Sequence, residues 1–158
     1  EMQPYPSTAH RPAAKERCMT RTPIVFWAVA ALALIFNLFS LYDLVMTSVD
    51  PIAHLQGYPQ PLVEFLITLP EWRRILWTTT VFLGIIGAVT LLLRRGIAER
   101  ALWAATVLLA LAVVVDYTML DGARVYGDAG SVVNVLVVVI EAGFALYAGR
   151  ARRQGLLR

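Results

Sequence analysis

The sequence predicts an all-α membrane protein, a four-transmembrane-helix bundle with both termini on the cytoplasmic side (N-in/C-in). Three observations carry that prediction. The chain of 158 residues is 58% hydrophobic, above the roughly 45–50% of a soluble domain, with a mean hydropathy of +0.64. Its apolar residues fall into four runs, over about 23–49, 75–93, 101–120 and 131–149, each close to the 20 or so residues that cross a hydrocarbon core. Lys and Arg gather in the N-terminal tail, the turn between spans two and three and the C-terminal tail, the segments that the positive-inside rule assigns to the cytoplasm. One membrane domain, 22–149, accounts for almost the whole length.

Residues 1–21 form a polar, Pro-containing basic tail with Arg11, Lys15, Arg17 and Arg21. It is expected to be disordered or to lie on the membrane surface. Met19, just before the first span, reads as a native start that would make the preceding residues optional. Cys18 is the single cysteine, which excludes an intramolecular disulfide, a CxxC redox pair and a Cys-based zinc site.

Span one opens at Pro23, which suits a first helical turn because its missing N–H costs nothing there. Its first half is lipid-like, and polarity then enters at Asn37, Ser40, Asp43, Thr47 and Asp50. At about 100° per residue these share a sector of roughly 140°, a polar stripe on one helix. Residues 50–74 form a long connection with four prolines, Pro51, Pro59, Pro61 and Pro70. Within it LVEFLITL can make a short interfacial helix, with Leu62, Phe65, Leu66 and Leu69 toward lipid or the bundle, or an ordinary loop with a hydrophobic anchor, and Pro70 and Glu71 look like a first helical turn.

Span two carries Gly84, Gly87 and Ala88, a small-residue patch that lets another helix backbone approach. RRGIAER then makes a tight basic turn into span three, which stays lipid-like until Asp116 and Tyr117. DGARVYGDAG reads as a Gly-rich connection. Span four, SVVNVLVVVIEAGFALYA, holds Glu141 near its middle and Asn134 on the same face. A carboxylate at that depth costs about 2.5 kcal/mol or more on insertion scales, so it should face protein or water rather than lipid. Residues 150–158 are expected to be a basic cytoplasmic tail.

This topology puts Trp27 and Trp103 at the cytoplasmic interface and Trp72 and Trp77 at the outer one, an aromatic belt. It also sends most acids outward. Asn37, Asp43, Asp116, Tyr117, Asn134 and Glu141 become candidates for an outward-open pocket that can bind a cation, an amine or a polar small molecule, since intramembrane ionisable groups are functional hypotheses by default. The plainer readings stay open beside it. Asp43 and Asp116 can simply be solvated near the interface, or pair with Arg73, Arg74 or Arg124. Glu141 can be a neutral hydrogen-bonding bridge to Asn37 or a backbone carbonyl that joins spans one and four.

Other chemistry is poorly supported. The net charge of +3 reflects topology, and no nucleic-acid partner is expected. Met46 and Met119 have no supporting Cys or His cluster, and His10 and His54 fall on opposite sides of the membrane, so no metal or cofactor is expected. No phosphate loop, nucleophile elbow or HExxH motif occurs, so no catalytic activity is expected.

The order Phe36-Asn37-x-x-Ser40-x-Tyr42-Asp43, a Pro-rich loop ending Pro70-x-Trp72, a span with Gly84 and Gly87, and Arg94-Arg95 before two further spans resembles a group of small bacterial four-span inner-membrane proteins. Some of these carry the label "sugar transporter". That resemblance implies transport and a bacterial inner (cytoplasmic) membrane as the location, whereas the residues themselves point first to an accessory, helix-packing subunit of a membrane assembly. The alternative is a small-solute or cation transporter or binding protein that uses Glu141 and the outer-face acids as a homodimer. The expected partners are the lipid bilayer and other membrane protein subunits or a second copy.

Overall fold

A computed structural model describes residues 22–158; the basic tail, His10, Cys18 and Met19 lie outside them. Among the described residues the chain is six helices and no strand: α1 (Ile24–Val49), α2 (Pro51–His54), α3 (Gln60–Ile67), α4 (Glu71–Leu92), α5 (Ile97–Met119) and α6 (Gly122–Arg153). Helices α1, α4, α5 and α6 are long and apolar enough to cross a membrane. Even the shortest, with 22 residues, spans about 33 Å at 1.5 Å per residue, enough for a hydrocarbon core. The protein is a multi-pass membrane bundle.

The long helices run alternately up and down in the order α1, α4, α5, α6, each packed on the next. The ring closes loosely. Helices α1 and α6 meet through long side chains, Phe36 on Phe144 with ring centroids 5.8 Å apart and Phe26 on Tyr147 at 6.4 Å, rather than through close backbones.

The apolar core occupies one end of the bundle. Phe26, Ala30 and Ala33 of α1 pack with Ala88 and Leu91 of α4, Leu102 of α5, and Phe144, Ala145 and Ala148 of α6. Alanine-rich faces let the backbones approach, and association in lipid depends on such packing rather than on a hydrophobic drive. Gly87 belongs to this contact: a Cβ there would stand 2.7 Å from the Leu102 side chain. Ala88 is fully buried.

Several boundaries differ from the sequence expectation. Helix α4 begins at Glu71, with Pro70 as N-cap, as the first helical turn expected at Pro70 and Glu71, so the helix extends ahead of the span expected from about 75 and takes in Arg73 and Arg74. Helix α5 takes in most of the RRGIAER turn. The expected Gly-rich connection DGARVYGDAG is helical, broken only at Gly127, whose φ of 60° and ψ of −174° lie in a region essentially restricted to glycine. Charged and polar residues at these helix ends hid the helix from a hydropathy reading, which sees only the part inside the hydrocarbon.

The C-terminal segment is also not a separate tail. Helix α6 continues to Arg153, Gly155 turns the chain with φ of 73°, and Leu156 and Leu157 are buried in the core. Two apolar side chains next to the glycine stop account for the return. The turn between α4 and α5 receives them: the Gly96 N–H donates to the Arg158 carbonyl at 2.6 Å and the Arg158 N–H to the Arg94 carbonyl at 2.7 Å.

Candidate functional site

Two polar centres lie inside the bundle, at different depths and with different chemistry. The first is at the end that carries α2 and α3. Arg73, in the first turns of α4, reaches Asp116, near the end of α5. Its Nε–H donates to Oδ1 and its Nη2–H to Oδ2, both at 2.6 Å. Asp116 is 2% exposed, so this is a buried bidentate pair of the strong kind. The Tyr126 hydroxyl, from the turn of α6 before the Gly127 break, donates to Oδ2 at 2.8 Å. Both carboxylate oxygens are therefore engaged. Tyr126 stacks on Tyr117 at 5.9 Å and meets Phe65 of α3 edge-on at 5.8 Å, which seals the pair from above. Tyr117 donates from its hydroxyl to Ser131 Oγ at 2.5 Å.

The second centre lies deeper, where α1, α4 and α6 converge. The Asn37 amide N–H donates to the Ala33 carbonyl at 2.9 Å and more weakly to Glu141 Oε2 at 3.5 Å. Asn37 and Glu141 are 4% and 3% exposed. Room for them comes from Gly84: a Cβ at that position would fall 1.9 Å from Asn37 Oδ1 and 3.6 Å from Glu141 Oε1. The glycine is a notch in α4 that the amide fills. Glu141 Oε1 is buried and has no hydrogen-bond partner among the described residues. A half-satisfied buried carboxyl is costly in a low-dielectric interior.

The six residues expected around one outward pocket thus do not share one site. Asn37 and Glu141 meet. Asp116 pairs with Arg73, as one of the plainer readings foresaw, and is not solvated. Asp43 stands 2.8 Å from His54 Nε2, which donates to its Oδ1 from α2, with Tyr42 edge-on to the imidazole. Tyr117 is engaged by Ser131. Asn134 lies two turns from Glu141 on α6, and its buried Nδ2 also has no partner among the described residues.

Two cavities, of about 200 and 180 Å³, sit near the start of α4, the second between α3 and the end of α1. Neither is lined by any of the six expected residues. Among the described residues no three His, Cys, Asp or Glu side chains come together as a metal-ligand set.

Sequence reasoning missed Tyr126 and His54 as members of these centres. Tyr126 was hidden inside an apparent loop. The signal that was available is proline: the connection over 50–74 has four, whereas DGARVYGDAG has none and so carries nothing that forbids a helix. His54 follows Pro51 by one turn, and the Asp50–Pro51 pair is itself a helix start. Asp50 caps α2 by accepting from the Ala53 N–H at 3.2 Å. No family model, curated protein or solved structure matches the chain.

Proposed function

We propose that this protein is a non-enzymatic component of a bacterial cytoplasmic membrane, with both termini in the cytoplasm, that acts by packing against other membrane proteins. The observation that carries this reading is the internal engagement of three of the six candidate polar residues. Asp116 is held by Arg73 and Tyr126, Asp43 by His54 and Tyr117 by Ser131, so these groups do not surround one solute pocket. What the bundle presents outward is apolar: Leu32, Ile35 and Phe39 on α1, and Val132, Leu136 and Val139 on α6, are each more than half exposed. The orientation rests on the distribution of Lys and Arg, and the bacterial membrane on the resemblance described above.

The test is native mass spectrometry of the full chain, extracted in mild detergent from its own membrane. A stoichiometric larger assembly is the expected result. A lone monomer or homodimer that retains a small polar molecule would overturn the packing reading.

One observation favours a second reading, a solute or cation transporter or binding protein, and that is the unpartnered Oε1 of Glu141. Four spans are few for alternating access in one chain, so this role calls for a homodimer. In that case Glu141→Gln abolishes binding of the retained molecule while the bundle stays folded.

A further inference from the structure

One end of the bundle collects positive charge without matching negative charge. Residues 94–100 and 150–158 contain seven arginines and a single acidic side chain, Glu99. Glu99 is already engaged, because Arg152 Nη1–H donates to its Oε2 at 2.9 Å. Arg94 is committed as well. It adopts φ of 57° at the end of α4, where its N–H returns to Leu91 and that of Arg95 to Thr90, and its Nε–H donates to the Leu156 carbonyl at 2.9 Å. Arg95, Arg100, Arg150 and Arg153 are exposed and make no ion pair among the described residues.

Contacts beneath them bring the backbone positions of Arg95, Arg100 and Arg150 to one end of the bundle, with Arg153 one turn beyond Arg150. Gly149 sits so close to Glu99 that a Cβ there would meet its Oε1 at 3.0 Å. Arg150 follows one partner of that contact and Arg100 the other. The two backbone hydrogen bonds between Arg158 and the α4–α5 turn hold Arg95 beside the same seam. One or two turns away the surface becomes apolar, with Ile97 57%, Leu146 48% and Trp103 38% exposed.

A ligand that fits both parts has a phosphate anion joined to hydrocarbon. Guanidinium groups match phosphate oxygens in a planar, bidentate way, and basic pockets between membrane helices are suited to anionic headgroups. A free phosphate would use the arginines and leave the apolar wall idle. We propose that this end of the bundle binds an anionic phospholipid, its headgroup phosphate held by Arg95, Arg100, Arg150 and Arg153 and its acyl chain lying along Trp103 and Leu146. The site is separate from both polar centres and does not depend on the packing role.

The experiment offers the full chain, in a neutral detergent, equal amounts of phosphatidylglycerol and phosphatidylcholine with identical acyl chains, and counts adducts by native mass spectrometry. Wild type should retain phosphatidylglycerol about fivefold or more over phosphatidylcholine, and the R95Q/R100Q/R150Q/R153Q variant should retain the two about equally, since each basic group near an anionic lipid is worth several-fold. R74Q/R124Q, at the opposite end, should keep the wild-type preference. If the fourfold variant loses its helical circular dichroism, R150Q/R153Q on exposed turns of α6 carries the test with a partial loss. Equal retention by wild type, or an unchanged preference in the arginine variants, overturns the proposal. So does removal of the lipid by excess inorganic phosphate, which would identify a plain phosphate site instead.

Discussion

Asp116 and Glu141 are buried to nearly the same degree, 2% and 3% exposed, in the same bundle, yet their surroundings differ in kind. Asp116 receives three hydrogen bonds, two of them from a guanidinium. Glu141 receives one, at 3.5 Å from a neutral amide, and keeps an oxygen without a partner among the described residues. Burial therefore does not by itself mark a functional carboxyl. Compensation separates the two. The Asp116 centre joins α4, α5 and the start of α6 as a closed unit, whereas the Asn37–Glu141 centre keeps a carboxyl oxygen without a partner among the described residues.

The largest expected effect comes from breaking the compensated side. Arg73→Leu leaves Asp116 buried without its cation and should lower stability by about 3–5 kcal/mol. Denaturant unfolding in detergent measures this, and the double variant Arg73→Leu/Asp116→Leu should recover most of the loss. If the single variant unfolds like wild type, the pair is not what joins α4 to α5.

Gly84→Ala tests the notch that shapes the other centre. Its Cβ would collide with Asn37 Oδ1, and overpacking of this kind costs about 1–3 kcal/mol. In an Asn37→Ala background the same substitution should cost much less, so a double-mutant cycle should show coupling between α1 and α4. Additive effects would mean that the helices shift apart instead.

Tyr126→Phe removes one hydrogen bond from Asp116 and should cost about 1 kcal/mol, with the Arg73 pair intact. A much larger loss would show that the hydroxyl also holds the α6 segment before Gly127. Glu141→Gln should change stability by less than about 1 kcal/mol in either direction, because it keeps the shape and gives up only a long bond to an amide. A large destabilisation in the same unfolding assay would make Glu141 as structural as Asp116 and erase the contrast.

How much of this was legible before any coordinates depended on what each residue needs as a partner. The four spans, a short helix in the connection over 50–74 and the packing role of Gly84 and Gly87 follow from local pattern: hydropathy windows, helix periodicity and small residues on a face; the Asn37–Glu141 bridge joins residues 104 positions apart and was one open reading of two polar residues at similar depth. The bond from Arg73 to Asp116 crosses 43 positions: Arg73 was one of three arginines that could take either Asp43 or Asp116, and only the packing of α4 on α5 selects the pair. The single outward pocket was a reasonable inference from depth alone. Depth does not encode azimuth, and the side chains at similar depth turned out to face different neighbours.

By itself, then, the sequence determined that the chain is a four-helix membrane bundle, with its apolar core toward one end and a carboxyl it must shelter, because those are properties of composition and periodicity within single segments. The tertiary structure decided which polar groups cancel one another. It assigned Arg73 and Tyr126 to Asp116, His54 to Asp43 and Ser131 to Tyr117, returned Leu156 and Leu157 to the core, and left Glu141 with half its hydrogen-bonding capacity. Those outcomes depend on how the helices are rotated and ordered about one another, and that rotation is set by many contacts at once rather than by any one stretch of chain.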